Sequence, residues 1–98
     1  MILKYHPAAA RELLAAVRYY EAHRAGLGGE FLDEYDAALK EIAKYPGRSP
    51  VARGLARRYR LHRFPYAIVY ETRAKFLVVV AVMHGKQSPE YWINRLSS

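Results

Sequence analysis

YRLHRFPYAIVYE (residues 59–71), FLVVVAVMH (76–84) and GKQSPEYW (85–92) are the stretches that decide the reading of this chain. The first two are apolar runs too short and too β-branched for buried helices, and they are bounded by turn-forming residues, so they read as strands. From Ala56 the pattern alternates, with Arg58, Arg60 and His62 on one face and Tyr59 and Leu61 on the other. Phe64 and Pro65 permit a tight reversal into a strand over Tyr66–Glu71. Thr72–Lys75 then turns the chain into Phe76–Met83, apolar at every position as expected of a strand covered on both faces. Short links between consecutive strands predict an antiparallel meander.

Upstream of these strands the period changes. Ile2–Tyr5 suits a brief strand, and His6 and Pro7 hand over to a helix with proline at its first position. Ala10, Leu13, Leu14, Val17 and Tyr20 form one apolar stripe, ended by Gly26, Gly28 and Gly29. Phe31, Tyr35, Ala38, Leu39 and Ile42 form another, with Glu30, Asp33 and Glu34 in the first turns and Pro46 and Gly47 as the stop. Together they predict an αα-hairpin whose apolar faces belong to the core. Arg48–Gly54 reads as a loop, and Ser88, Pro89 and Glu90 open a final helix of about two turns anchored by Trp92.

At 98 residues with 52% apolar composition, one compact domain spanning residues 1–98 is expected. Cysteine is absent, which removes disulfide and thiolate chemistry. With no charged-then-apolar leader and no apolar run long enough to cross a bilayer, a soluble cytoplasmic protein without a membrane partner is expected. Charge is divided unevenly. Up to Gly47 six Lys or Arg face seven Asp or Glu, whereas from Arg48 onward ten basic residues face only Glu71 and Glu90. A basic half joined to a nearly neutral one points to an anionic partner, nucleic acid or an acidic protein segment.

No GxSxG, GxGxxG or P-loop spacing occurs, and no cofactor or small-molecule substrate is implied. His6, His23, His62 and His84 are too scattered to suggest a metal site. What remains is a basic surface able to hold phosphates and, in principle, to cleave RNA without metal. Arg60 would steady the phosphorane, and His84 or His62 would act as base or acid. Against this, a histidine at a strand end is commonly a plain hydrogen-bonding residue, Arg60 can pair with a partner's carboxylates, and Tyr70 and Tyr91 can be core rings.

The order of strand, αα-hairpin, loop, RRYRLHRFPYAIVYE (57–71) and VVVAVMHGKQSPEYWINR (78–95) resembles the RelE/ParE superfamily of type II toxin–antitoxin toxins, which includes plasmid stabilisation proteins. The most specific pieces are Arg63, Phe64, Pro65 and Tyr66 with Tyr70, and the tail Ala81, His84, Pro89, Tyr91, Trp92 and Arg95. The resemblance implies an α+β fold, with a small antiparallel sheet, the N-terminal αα-hairpin packed on one face and a short C-terminal helix. It also implies a cognate acidic antitoxin that wraps the toxin. RelE-like members cut mRNA on the ribosome, and the matching residues here are Arg60, His84 and Tyr91. ParE-like members poison DNA gyrase and keep few or none of those groups; this chain lacks a lysine pair ahead of the basic strand. Gyrase poisoning is therefore the first expectation, mRNA cleavage the alternative, and a non-toxic relic that only binds antitoxin the third. Arg53, Arg57, Arg58, Arg60, His62, Arg63, Lys86 and Arg95 are the candidates for nucleic-acid or antitoxin binding.

Overall fold

A computed structural model describes residues 1–96. Its elements are β1 (Ile2–Tyr5), α1 (Pro7–His23), α2 (Leu27–Lys44), β2 (Val51–Arg53), β3 (Ala56–Arg60), β4 (Tyr66–Arg73), β5 (Phe76–His84) and a 3-10 turn (Ile93–Arg95). The strands form one sheet in the order β1-β5-β4-β3-β2. The meander from β2 to β5 is antiparallel, as the sequence predicts from β3 onward, but β1 joins β5 in parallel, Ile2 beside Phe76 and Tyr5 beside Val79. The sheet is thus mixed. The helical hairpin supplies the crossover that a parallel pairing requires.

Three of the boundaries that differ from the sequence reading have a local reason. Gly26 takes a left-handed φ of 89° and caps α2, so Gly28 and Gly29 lie inside the helix instead of in a linker. A Cβ on Gly28 would come within 2.7 Å of the Val17 carbonyl oxygen, so glycine there lets α1 and α2 approach closely. The expected loop over residues 48–54 contains β2, whose Val51 pairs with Arg57. The final helix is reduced to a 3-10 turn, with Trp92 at its cap; its backbone bonds span three residues, as from the Arg95 N–H to the Trp92 carbonyl at 2.9 Å, and a segment this short relies on docking for stability.

Alternation along the strands sorts the core into two layers. Ile68, Tyr70, Leu77, Val79 and Val82 face the helices and meet Ala9, Ala16, Phe31, Tyr35 and Ile42. On α1 the inward stripe is Ala9, Leu13, Ala16, Val17 and Tyr20; Ala10 and Leu14, expected in it, are turned outward. On the other face Ala56, Ala67, Val69, Val80, Ala81 and Met83 are covered by the tail through Trp92, Tyr91, Ile93 and Leu96. Trp92 is 1% exposed and so fills this layer.

The RFPY reversal joins both layers. Phe64 stands edge-on to Phe31 and Tyr20, with ring centroids 5.1 and 4.7 Å away, and Tyr66 meets Phe31 at 5.3 Å. Such pairs add about 0.5–1.5 kcal/mol each beyond their area. The Pro65 carbonyl accepts the Gly85 N–H at 2.8 Å, so the reversal fixes the point at which the tail leaves β5.

Candidate functional site

Cross-strand pairing settles which face each basic residue occupies, because directly opposed residues point the same way. Arg58 lies opposite Val69 and Arg60 opposite Ala67, and Ala67 lies opposite Met83. Both arginines therefore rise from the face that carries the tail, away from the helices. They stand between two clefts. One, of about 310 Å³, is walled by Arg58, Arg60, Phe64, Pro65, Met83 and Gln87. The other, of about 420 Å³, lies toward β2 and brings Arg48, Tyr59 and His62 to the same two arginines. Among the described residues no carboxylate lines either cleft and Arg60 has no ion pair. The arrangement is an open cationic ridge with apolar walls, suited to a bidentate anion such as a phosphate or carboxylate.

The other basic candidates are mostly engaged. Arg53 pairs with Glu90 at 3.4 Å, and Arg57 donates to the Ser49 carbonyl at 2.7 Å. Arg63 meets Glu30 at 2.9 Å, and Glu30 also holds Arg24 at 3.1 Å. Hydrogen bonds from Arg63 and then Arg24 hold the Glu30 carboxyl below its ordinary range. Arg95 is locked to Glu12, with Nη1 to Oε1 at 2.9 Å and Nη2 to Oε2 at 3.0 Å. Lys86 lines an open groove beside α1 with Tyr19, Tyr66 and His84. Of the eight binding candidates, the ridge gathers Arg58, Arg60 and His62.

The three residues matched to RNA cleavage are not brought together. Tyr66 lies opposite His84 and packs in the helix-side core, which places His84 on the face opposite Arg60. His84 Nδ1 accepts the Lys86 N–H at 3.0 Å, so in the neutral ring the proton sits on Nε2. The Tyr91 hydroxyl donates to Glu12 Oε2 at 2.9 Å, and burial, followed by this bond, pushes its ionisation well above the usual tyrosine range. Among the described residues no cluster of His, Asp and Glu has metal-site geometry, and no helix is long and apolar enough to cross a membrane.

Sequence reasoning missed the acids that hold these parts in place. Glu12 binds the tail, and Glu34 binds the backbone of the RFPY reversal. The only signal for Glu12 is an acid flanking the apolar stripe of α1, and its partners lie about 80 residues away, at |i−j| of 79 and 83.

The sequence matches the family model described as ParE toxin of type II toxin-antitoxin system, parDE, over residues 3–89. The chain belongs to the ParE toxin family. Its fold agrees with that of a solved structure titled "Chromosomal ParDE TA system from P. aeruginosa", with a TM-score of 0.74 and 17% identity, covering 86% of this chain and 95% of that one. No curated protein matches the sequence. In this ParE-family chain the RFPY reversal lies within the matched span, and the 3-10 turn that carries Arg95 lies beyond it.

Proposed function

We propose that this ParE-family toxin inhibits growth by binding DNA gyrase, with no bond-breaking chemistry of its own. One observation carries the reading: Arg60 and His84 open on opposite faces of the sheet, and Tyr91 is committed to Glu12. A cleavage site would need cation, base and acid within hydrogen-bond reach of one phosphate. An acidic cognate antitoxin in the same cytoplasm neutralises the toxin, its carboxylates meeting the ridge of Arg58, Arg60 and His62. Membership of a toxin–antitoxin family and the carboxylate-free clefts support that partner.

The test is a side-by-side assay with purified toxin. Gyrase is expected to accumulate cleaved plasmid while ribosome-bound mRNA stays intact. The second reading is a metal-independent mRNA endonuclease that uses the same arginines as phosphate contacts, and it is favoured by the absence of any carboxylate in the clefts. Codon-dependent mRNA cuts with unaffected gyrase would establish it and overturn the first.

A further inference from the structure

One carboxylate joins two distant parts of the molecule. β1 covers the outer edge of β5 only as far as Val79, whose carbonyl accepts the His6 N–H at 2.9 Å. Beyond that point side chains take the backbone groups of β5. Glu12 Oε1 accepts the Val82 N–H at 3.0 Å, Arg95 Nη1 donates to the Val80 carbonyl at 3.2 Å, and Gln87 Oε1 accepts the His84 N–H at 2.8 Å. The same Glu12 carboxylate receives both Nη atoms of Arg95 and the Tyr91 hydroxyl. Glu12 reaches from the helix layer and Tyr91 and Arg95 from the tail on the opposite face, so the clasp closes round the sheet edge.

What the clasp holds down is informative. The tail carries Trp92 into the second core layer and lays the Pro89 carbonyl 3.4 Å from Arg58 Nη2. Arg58 Nε and Trp92 Nε1 are both buried with no hydrogen-bond partner among the described residues. Buried donors left unpaired oppose closure, so the closed tail depends on the clasp and on the apolar packing of the Trp92 ring. Arg60 stands two residues along the same strand face, about 7 Å away, within the span of one diphosphate group.

We infer that the Glu12, Tyr91 and Arg95 clasp is a latch on the tail, and that opening it frees the Nε and Nη2 of Arg58, so that Arg58 and Arg60, already side by side at the clefts, take a phosphate-class oxyanion between them. Glu12 acts as a positioning residue, coupling the tail to the free edge of β5. Whatever takes the Val82 N–H from Glu12 also loosens the tail, and the reverse holds by linkage. The inference rests on the ridge and the tail alone and requires no particular toxin target.

The experiment uses the full chain with Glu12→Gln, which keeps an acceptor for Val82 but removes the charge facing Arg95. Trp92 is the sole tryptophan, so acrylamide quenching of its fluorescence reports tail opening. Quenching is expected to rise severalfold, and pyrophosphate measured by calorimetry is expected to bind about tenfold more tightly, the value of one charge-assisted hydrogen bond. The gain disappears in Glu12→Gln with Arg58→Ala. Trp92 as shielded as in the parent overturns the latch; exposed Trp92 without tighter pyrophosphate binding, or a gain that survives loss of Arg58, overturns the site. Should circular dichroism show Glu12→Gln unfolded, Arg95→Gln leaves Val82 capped and is read by the same criteria.

Discussion

Glu34 on α2 accepts the backbone N–H of His62 at 2.6 Å, and the same carboxylate takes the Arg63 N–H at 3.1 Å. The helical hairpin is thereby tied to the start of the RFPY reversal, a link reinforced by Arg63 and Glu30. Hydrogen bonds to a charged acceptor are stronger than neutral ones, and their loss leaves two amides without a protein partner. Glu34→Ala is expected to destabilise the fold by about 1.5 kcal/mol. Urea denaturation would measure this; an unchanged midpoint would show that solvent replaces the carboxylate without cost.

Adjacent glycines in α2 should respond oppositely to alanine. Gly28→Ala pushes a Cβ to 2.7 Å from the Val17 backbone oxygen, where neither helix can yield without shifting. It should cost about 1–3 kcal/mol, as overpacking does. Gly29 has nothing within 4 Å of such a Cβ, so Gly29→Ala should stabilise by about 0.5–1 kcal/mol through helix propensity. Thermal melts of the two variants must move in opposite directions for this account of the hairpin contact to stand.

Trp92 contributes the largest side chain of the tail-side core and is 1% exposed. Trp92→Ala removes the ring over Ala56, Val69, Val80 and Met83, and about 3 kcal/mol is expected to be lost on chemical denaturation. Hydrogen exchange should show faster loss of protection at Gly85 through Leu96 than at β3. Uniform protection across both regions would mean that the tail is held by its polar contacts alone.

Strand positions, the helical hairpin and the RFPY turn were legible because hydrophobic period and turn chemistry are local. The parallel placement of β1 was not, since four residues, Ile2–Tyr5, carry no signal of which edge they will join. The alternation of Arg58, Arg60 and His62 correctly indicated a basic face, although β3 ends at Arg60 and His62 belongs to the bend that follows. His84 adjoins the same motifs in sequence, while strand parity turns it to the side of the sheet opposite Arg60, a separation that sequence proximity does not reveal. Glu12 and Glu34 were invisible for the converse reason, their partners being 28 or more residues away.

Alkaline pH offers a test of the Tyr5–Tyr35 pair, whose hydroxyls share a hydrogen bond between β1 and α2. Burial is the main cause that raises both ionisations; for Tyr35 the Tyr5 bond adds to it, and Asp36 raises both further. The folded chain therefore keeps protons that the unfolded chain releases above pH 10.0. Stability from this pair is complete below that pH and is lost as pH rises beyond it. Urea midpoints followed through the alkaline range should fall more steeply in the parent than in Tyr35→Phe. Equal slopes would assign the alkaline loss to other groups.

Arg60 and His84 lie on opposite faces, so their substitutions should separate in a growth assay. Reversing the charge with Arg60→Glu places a carboxylate between two clefts that contain none, which opposes an anionic or acidic partner surface. Growth inhibition is expected to fall by about tenfold or more, consistent with several kcal/mol for a like-charge contact. His84→Ala removes only the acceptor for the Lys86 N–H and an edge-on ring contact with Tyr66 at 5.0 Å, and inhibition should stay within about twofold. Induced expression without antitoxin, with protein levels matched by immunoblot, gives the comparison. A His84→Ala variant as harmless as Arg60→Glu, with its melting temperature unchanged, would place both residues in one reaction and favour RNA cleavage over a binding toxin.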